Sequence, residues 1–263
     1  MSEELVLTVE VAARPETVFA LFTDPASFDL WMGAAMGKAT LVPEKGGEVR
    51  VDFPAFAEFP ARVVRGEVLA LEPYRRFTFT WGYERSDDLP PGASTIEITL
   101  TPTDLGTTVE LRHTGLPTDE LRRAHRGGFR LYLSVLAARA ADAQHAAGLD
   151  GTVAAWFEAW NADDVGARRA ALERCLTEDG EFRHAFAAVR GRDDLSGHIA
   201  SSRAVMQGIR LEPNGRPELC HAYARFGWEA VREGGVVSTG ENFAVLAGDG
   251  RFALVAGFRD GPD

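Results

Sequence analysis

The sequence predicts an α+β protein built from two domains that follow one another along the chain. Its 263 residues exceed the roughly 150 of an average domain. The first half has the pattern of a strand, a helix, six strands and a long helix. The second half has helices and a short strand followed by three long strands. Segregation of helices from runs of strands is typical of the α+β class. The halves join near Gly148, which predicts domains at 1–147 and 148–263.

The composition is that of a globular protein with an acidic surface. Hydrophobic residues make up 45% and charged residues 25% of the chain, and the formal net charge is −11. A surface this acidic repels phosphate groups, so we expect neither nucleic acid nor an anionic membrane as a partner. No apolar run approaches the ~18 residues of a membrane span, and the first residues lack the apolar core of a signal peptide. We therefore expect a cytoplasmic protein.

The first half opens with a strand and a helix. The alternation of apolar and polar residues from Leu5 to Val11 predicts the strand. Pro15 suits the first position of the helix, since its missing N–H costs nothing there, and Asp24-Pro25 predicts the helix end. Six strands then follow, separated by turns rich in glycine and proline. They are predicted at about 38–43, 47–53, 61–71, 77–83, 94–101 and 107–114.

A long helix at about 118–146 closes the first half. Thr118 is a suitable N-cap, and Asp119 favours the positive end of the helix dipole. One helix covers the concave face of such a sheet only if the sheet wraps around it, which leaves a cavity wherever the covering residues are small. Gly127 and Gly128 lie within the helix, where a glycine costs ~1 kcal/mol relative to alanine. These glycines indicate either close helix–sheet packing or room for a ligand.

The second half begins with helical patterns and ends with strands. In the helix predicted at 151–161, Trp156 and Trp160 lie on one apolar face. Gly234-Gly235 and Gly248-Asp249-Gly250 predict hairpin turns near the end of the chain. The remaining helices are expected at about 164–176 and 193–208, and the strands at about 181–187, 218–232, 235–247 and 251–259.

Several short motifs recur together in the first half. They are Arg14-Pro15-Glu16-Thr17-Val18-Phe19, Phe22-Thr23-Asp24-Pro25, Gly66-Glu67-Val68-Leu69, Phe77-Thr78-Phe79-Thr80-Trp81 and Thr107-Thr108-Val109-Glu110-Leu111. With Trp31, His113 and Gly128-Phe129, they resemble the activator-of-heat-shock-protein-ATPase-like branch of the START-like superfamily over residues 1–145. The resemblance implies a helix-grip fold, in which an antiparallel sheet wraps around a long C-terminal helix and encloses a ligand cavity. It implies small-molecule binding more often than a co-chaperone role.

A second set of motifs runs through the second half. It comprises Ala155-Trp156, Gly191-Arg192-Asp193, Arg225-Phe226-Gly227-Trp228, Gly240-Glu241-Asn242-Phe243 and Asp249-Gly250-Arg251. Their spacing is similar to that of nuclear-transport-factor-2-like, SnoaL-like domains over residues 150–263. The similarity implies a cone-shaped α+β half-barrel with a pocket, commonly in a dimer. It also implies that the pocket holds an acidic general acid/base in cyclases of this type, whereas other members bind ligands or only assemble.

Glu241 and His184 are the candidate catalytic residues. Glu241 shares a predicted strand face with Phe243, and His184 shares one with Phe182. If both faces line the pocket, the desolvated carboxylate has a raised pKa that suits a general acid/base. The alternatives are a structural hydrogen-bonded pair, or a register shifted by one residue that turns Asn242 inward. The candidate ligand-binding residues of this half are Trp156, Trp160, Trp228 and Asn242.

The candidate ligand-binding residues of the first half are mainly aromatic. Phe79, Trp81 and Tyr83 alternate along one strand and indicate either plain core or a binding wall. His113 points inward by alternation, as a core group or a catalytic one, and Glu67 and Glu97 are alternative polar anchors. The other candidates lie in two places. Those in the segment after the first helix would form either an adaptable pocket mouth or a lid over the core, and the rest lie on the long helix. They are Trp31, Met32, Met36, Phe129 and Tyr132.

No motif for a catalytic nucleophile, a phosphate loop, a dinucleotide or a metal occurs in the sequence, so no cofactor and no metal is expected. We hypothesise a protein that binds a small hydrophobic molecule of aromatic or polyketide-like character. One alternative is a cofactor-independent cyclase, isomerase or hydrolase that uses a pocket carboxylate and a histidine. Another is a co-chaperone-type regulator of a heat-shock ATPase. A homodimer formed through the second domain is a further expectation.

Overall fold

The computed structural model describes residues 4–33, 37–55 and 60–261. The chain divides into two compact units, Met1–Ala141 and Asp142–Asp263. Both units combine a sheet with helices, which confirms the α+β class. The domain division at 147/148 stays a prediction and falls shortly after the boundary between the compact units. None of the helices in the described residues is long and apolar enough to cross a membrane.

The first unit is a seven-stranded antiparallel sheet with three helices, the last of which continues beyond the unit. The strand order is β1-β7-β6-β5-β4-β3-β2. The predicted sequence of strand, helix, six strands and long helix is therefore confirmed, apart from one extra helix. The elements are β1 (Leu5–Val11), α1 (Pro15–Thr23), α2 (Pro25–Met32), β2 (Lys38–Leu41), β3 (Glu48–Phe53), β4 (Arg62–Glu72), β5 (Arg76–Trp81), β6 (Ser94–Thr103), β7 (Gly106–Thr114) and α3 (Asp119–His145).

The extra helix is α2, which begins where the sequence predicts only a stop. Asp24 ends α1 in an extended conformation, and its carboxylate then accepts hydrogen bonds from the Ser27 backbone N–H at 2.9 Å and the Ser27 hydroxyl at 2.5 Å. The hydroxyl bond, followed by the backbone bond, lowers the pKa of Asp24. Pro25 occupies the first turn, where its fixed φ is compatible with a helix. One dipeptide thus terminates α1 and starts α2.

Helix α2 belongs to the core of the first unit. Trp31 and Met32 are fully buried, and the Trp31 indole N–H donates to the Leu21 carbonyl at 3.0 Å. The Trp31 ring packs edge-on against Phe22 and Phe28, with centroids 5.4 and 5.5 Å away. The burial of these side chains favours the interpretation that the segment after α1 is a lid packed over the core, and not an adaptable pocket mouth. Met36 lies outside the described residues.

Large apolar residues, and not the two glycines, form the buried face of α3. Phe129, Leu133 and Leu136 are buried in the same core as the sheet. Gly127 and Gly128 lie on the exposed side, and a Cβ added at Gly127 would meet nothing within 4 Å. The glycines therefore neither permit close packing on the sheet nor make space beneath the helix.

The second unit is a six-stranded sheet with helices on it. The strand order is β10-β11-β12-β13-β8-β9, and β13 pairs with β8 in parallel whereas the other neighbours are antiparallel. The central run of antiparallel strands agrees with the predicted meander. The elements are α4 (Leu149–Asn161), α5 (Val165–Cys175), β8 (Leu176–His184), β9 (Ala187–Arg190), α6 (Arg192–Val205), β10 (Arg210–Cys220), β11 (Tyr223–Arg232), β12 (Gly235–Leu246) and β13 (Phe252–Arg259).

The strand predicted at 218–232 is wrong in its extent, because two strands meet there. A tight turn joins β10 to β11, and His221 in that turn has a φ of 60°. This backbone conformation is uncommon for a residue other than glycine, although histidine is among the residues that adopt it more often. The sequence around the turn contains no glycine, so the usual signal for a hairpin is missing.

We predict that Trp31→Ala lowers the free energy of unfolding by about 3–5 kcal/mol, because it removes a buried ring and leaves a cavity. Urea denaturation of the full chain measures the change. The matched control on the same helix is Leu30→Ala, since Leu30 is 51% exposed, and it should change the stability by less than about 0.5 kcal/mol. Equal losses in the two variants would contradict the core position of Trp31.

Candidate functional site

Polar side chains meet inside the first unit, between β5, β6, β7 and α3. We call this group the inner cluster, and it contains Tyr83, Ser94, His113 and His125. Cross-strand pairing places Ser94 opposite Trp81, and His113 opposite Ile96, so the first three members lie near one end of adjacent strands. The fourth member, His125, lies on helix α3, and its ring contacts the ring of His113. Phe129 packs against both Trp81 and His113, with ring centroids 5.4 and 5.5 Å away.

The hydrogen bonds of Ser94 determine the tautomer of His113. The Ser94 hydroxyl donates to the Trp81 carbonyl oxygen at 2.9 Å, and its Oγ lies 2.9 Å from His113 Nε2. Because the hydroxyl has only one proton, Nε2 must carry the hydrogen and donate it to Oγ. In the neutral ring, Nδ1 is then an acceptor. Nδ1 is buried and has no hydrogen-bond partner among the described residues.

His125 has the opposite tautomer. Its Nδ1 lies 2.8 Å from the Leu121 carbonyl oxygen, which only accepts, so Nδ1 carries the hydrogen. Nε2 therefore accepts from the Tyr83 hydroxyl at 3.2 Å. Burial raises the pKa of the Tyr83 phenol, and the nearby Trp81 indole N–H opposes that shift. This N–H has no well-formed hydrogen bond to any of the described residues.

Burial keeps the inner cluster neutral. It lowers the pKa of His113 to about 3, with a smaller contribution from His125, and it also lowers the pKa of His125. Nearby, burial and then Tyr83 raise the pKa of Tyr132 to about 12. A general base works best with a pKa near the operating pH, so His113 is poorly suited to proton abstraction near pH 7. The lone pair of its buried Nδ1, which has no partner among the described residues, suits recognition of a hydrogen-bond donor instead.

The structure brings together most of the aromatic residues that the sequence singles out in the first half. Ring contacts run without a break through the group, with centroids 6.3 Å apart or less. Glu67 and Glu97 lie elsewhere: Glu67 is exposed, and Glu97 pairs with Arg76 at 3.3 Å on the outer face. The alternative that either carboxylate anchors a ligand in the interior is therefore wrong. The residues brought together are Phe79, Trp81, Tyr83, His113, Phe129 and Tyr132.

Sequence reasoning missed Ser94 and His125. A usable signal existed for His125, because His125, Phe129 and Tyr132 recur at helical spacing on one face of α3. Ser94 offers no such signal. It matters only through its partners on two other strands, which the pairing register brings within reach.

A second group of polar and aromatic side chains lies in the second unit. His184 ends β8 and His198 lies on α6, and their Nε2 atoms are 3.1 Å apart. Phe182 stacks on His184 with ring centroids 5.1 Å apart. Trp160 packs edge-on against His198, and its buried Nε1 has no partner among the described residues. Burial lowers the pKa of both histidines, and for His184 the neighbouring His198 adds to the effect.

Glu241 does not join this group, so the predicted pairing of Glu241 with His184 is wrong. The Glu241 side chain is 54% exposed and lies 3.9 Å from Arg225 on the outer face of the sheet. The next residue, Asn242, is buried instead, as the shifted register allows. The alternation of residues along β12 predicted the wrong face, because Phe243, which shares the face of Glu241, is apolar yet exposed.

The remaining candidates of the second half line the inner side of its sheet. The Trp156 ring contacts Phe182, with centroids 5.4 Å apart. Trp228 lies over Gly240, where an added Cβ would come within 2.4 Å of the indole. The Asn242 Oδ1 lies 3.1 Å from the position of a Cβ added at Gly257. Small residues on β12 and β13 thus make room for these larger side chains.

The described residues form a surface groove in each unit that the sequence did not predict. One of about 860 Å³ lies between α4 and β10, with Phe157, Asn161 and Arg210 in its wall. The other, of about 400 Å³, lies between the edge strand β1 and α3, with Arg126 and Arg130 in its wall. Neither groove includes a member of the inner cluster.

Comparison with protein families finds one matching model in each half of the chain. Residues 12–141 match the model described as Activator of Hsp90 ATPase homolog 1-like protein. Residues 153–261 match the model of the SnoaL-like domain. Both resemblances noted from the motifs are therefore confirmed. No curated protein matches the chain significantly.

Solved structures resemble one half of the chain at a time. A SnoaL-like family protein from Agrobacterium tumefaciens is 24% identical, and the match covers 44% of this chain and 99% of that one with a TM-score of 0.42. The AHSA1 protein from Silicibacter pomeroyi is 27% identical, covering 51% of this chain and 94% of that one with a TM-score of 0.42. A protein from Chromobacterium violaceum is 24% identical over 52% and 96%, with a TM-score of 0.45.

We predict that acid destabilises the protein partly through His113. Its folded-state pKa of about 3 lies below the ordinary histidine value of 6.5, so the unfolded chain binds the additional proton as the pH falls below 6.5. This group alone should remove about 2 kcal/mol between pH 7 and pH 5. Denaturant unfolding at several pH values measures the slope.

The variant for this prediction is His113→Gln, which should flatten the slope between pH 7 and pH 5 whatever its effect on stability at pH 7. The control is His221→Asn, because His221 is exposed and asparagine also tolerates its backbone conformation. An unchanged slope in His113→Gln would show that the imidazole is not buried in the neutral form.

Proposed function

Because the chain joins a domain of the Activator of Hsp90 ATPase homolog 1-like family to a SnoaL-like domain, we propose that it is a cytoplasmic protein that binds a small hydrophobic molecule inside its first unit. The proposed ligand is aromatic or polyketide-like and carries a hydroxyl group. The binding site is the inner cluster together with the surrounding aromatic rings. This proposal includes no cofactor.

The buried Nδ1 of His113, which has no hydrogen-bond partner in the described part of the chain, is the observation that carries the proposal. A buried polar atom without a partner costs about 1–3 kcal/mol, and most such atoms in folded proteins are paired. His113 is completely buried, and Ser94 holds its ring so that the lone pair of Nδ1 is available. A hydroxyl group of a ligand would supply the missing donor.

The surroundings of His113 favour an aromatic ligand over an aliphatic or charged one. Trp81 and Phe129 present ring faces and edges, which prefer offset or edge-on contact with another aromatic ring. The acids and bases named in the inner cluster are neutral near pH 7, so a charged ligand would lose its hydration without gaining an ion pair. A phenol satisfies both conditions, because its ring is apolar and its hydroxyl donates.

The alternative of a cyclase, isomerase or hydrolase that uses Glu241 with His184 is not carried forward. Glu241 lies on the outer face and makes its contact with Arg225. The pKa of His113 is too low for efficient base catalysis near pH 7. Binding therefore has more support than turnover.

We predict that a polycyclic phenol stabilises the wild-type protein in thermal shift assays and that its methyl ether binds about 10-fold more weakly, because the ether cannot donate to His113 Nδ1. At 100 times its dissociation constant, the phenol should stabilise the fold by about 2.7 kcal/mol. The compounds are tested as matched pairs on the full chain.

In His113→Phe, the phenol and its ether should bind equally, whereas the exposed variant His221→Asn should keep the 10-fold preference. Two results contradict the proposal: no stabilisation of the wild type by any compound in the panel, or the same preference in His113→Phe. Mass spectrometry of compounds that co-purify with the protein provides an independent measurement.

We also propose a homodimer through the outer face of β11, β12 and β13. Tyr223, Phe243 and Phe258 lie on this face and are 42–61% exposed. The Tyr223 and Phe243 rings stack with centroids 5.4 Å apart, which joins them into one apolar surface. A contiguous exposed apolar patch on a folded domain often marks a contact with another protein. A second copy presents the same patch in a two-fold interface.

We predict that light scattering after size-exclusion chromatography gives about twice the chain mass of 28.6 kDa. Phe243→Arg should reduce the mass to that of one chain, because it introduces a charge at the centre of the patch. Phe186→Arg serves as the control, since Phe186 is also exposed but lies elsewhere, and it should leave the dimer intact. A monomeric wild type would contradict the proposal.

A further inference from the structure

The second unit contains a pair of histidines whose geometry points to a metal site. We propose that His184 and His198 bind one divalent transition-metal ion, such as Zn²⁺, through their Nε2 atoms. The site is independent of the ligand proposed for the first unit. It also departs from the sequence expectation, which contained no metal, because the two residues lie too far apart in the chain to form a recognised spacing.

The distance between the two nitrogens matches a shared ion. Zn–N bonds of about 2.0–2.1 Å at angles near tetrahedral hold two ligand nitrogens roughly 3.1–3.4 Å apart. The Nε2 atoms of His184 and His198 are 3.1 Å apart, and the ring centroids are 5.1 Å apart. Both rings therefore direct Nε2 into the same small space, where an ion can bind without a large movement of either side chain.

In the metal-free protein, one shared hydrogen accounts for this contact, with one Nε2 donating to the other. When the ion binds, the donating ring changes tautomer: its hydrogen moves from Nε2 to Nδ1, and the Nε2 lone pair becomes available to the metal. Metal coordination requires both rings to be neutral with an available lone pair.

The packing around the pair holds both rings in place. Phe182 stacks on His184, with an angle of 26° between the ring planes, and also contacts the ring of His198. His184 is at the end of a strand, whereas His198 lies within helix α6, so their backbones belong to regular elements. Sites built on such elements keep their geometry better than sites on loops.

The other coordination positions would be open to water or a ligand. Within the part of the chain that the structure describes, no group of three or more histidine, cysteine, aspartate or glutamate side chains is arranged to hold an ion. The Trp160 indole N–H is buried and unpaired among those residues, and its ring lies 6.1 Å from that of His198. It is a suitable donor to the oxygen of a metal-bound water. Catalytic zinc sites keep one position open and usually hold the ion with three protein ligands, so a site with two histidines would leave one more position to water or a ligand.

The test is titration of the full chain, stripped with a chelator, with Zn²⁺ in a calorimeter and with Co²⁺ in an absorption spectrometer. We expect one ion per chain and visible Co²⁺ absorption of the kind given by nitrogen ligands. His184→Gln and His198→Gln should each weaken Zn²⁺ binding at least 10-fold, whereas His221→Asn should bind as the wild type does. Circular dichroism checks that each variant is folded.

Two results would overturn the proposal. One is the absence of stoichiometric Zn²⁺ binding to the wild type at concentrations up to ~1 mM, where even weak specific sites fill. The other is unchanged affinity in folded His184→Gln and His198→Gln. No organic ligand enters these titrations, so their outcome is separate from that of the phenol experiment.

Discussion

The burial of neutral histidine inside an aromatic core is the constraint on which the rest of the first unit depends. An imidazole without water must satisfy its polar atoms within the protein, or leave one for something that binds. His125 satisfies both of its nitrogens, one through its own helix and one through Tyr83. Within the described ranges, His113 pairs only its Nε2, through Ser94. The two adjacent rings therefore differ in whether a nitrogen remains available to a hydrogen-bond donor, and the proposed ligand would use that difference.

The two units use the same residue type for different chemistry because they bury it to different degrees. His113 is completely buried and faces a wall of aromatic rings, which suits a neutral ligand with one donor. His184 and His198 are half-buried and direct their nitrogens at one another, which suits a cation that both can share. In both places desolvation keeps the ring neutral, and the direction of the free lone pair decides what it can bind.

Surface chemistry separates the two faces of the second sheet. The inner face combines bulky rings with small partners, such as Trp228 over Gly240. The outer face carries exposed aromatic residues beside the ion pair of Arg225 with Glu218, at 2.7 Å. An apolar surface with a charged rim is the composition expected of a contact between proteins. A role for the second unit in assembly is therefore compatible with a small-molecule or metal site on its inner side.

The sequence by itself determined the class, most of the order of the elements and the family that each half resembles. Apolar periodicity and turn residues are local, so they predict a strand such as β1 or a helix such as α3 without knowledge of its neighbours. The same local signals mark most of the aromatic residues near His113. Local signals also predict that α1 ends at Asp24-Pro25, although they do not predict that α2 begins at the same dipeptide.

Only the tertiary structure decided which faces point inward and which polar groups meet. Both faces of β12 carry apolar residues, so alternation alone does not distinguish the buried Asn242 from the exposed Glu241. The contact of Ser94 with His113 depends on strand register, and that of His184 with His198 on how a helix packs on a strand end. Such contacts join residues that are distant in sequence. Their geometry arises from packing of the whole unit, which no local pattern encodes.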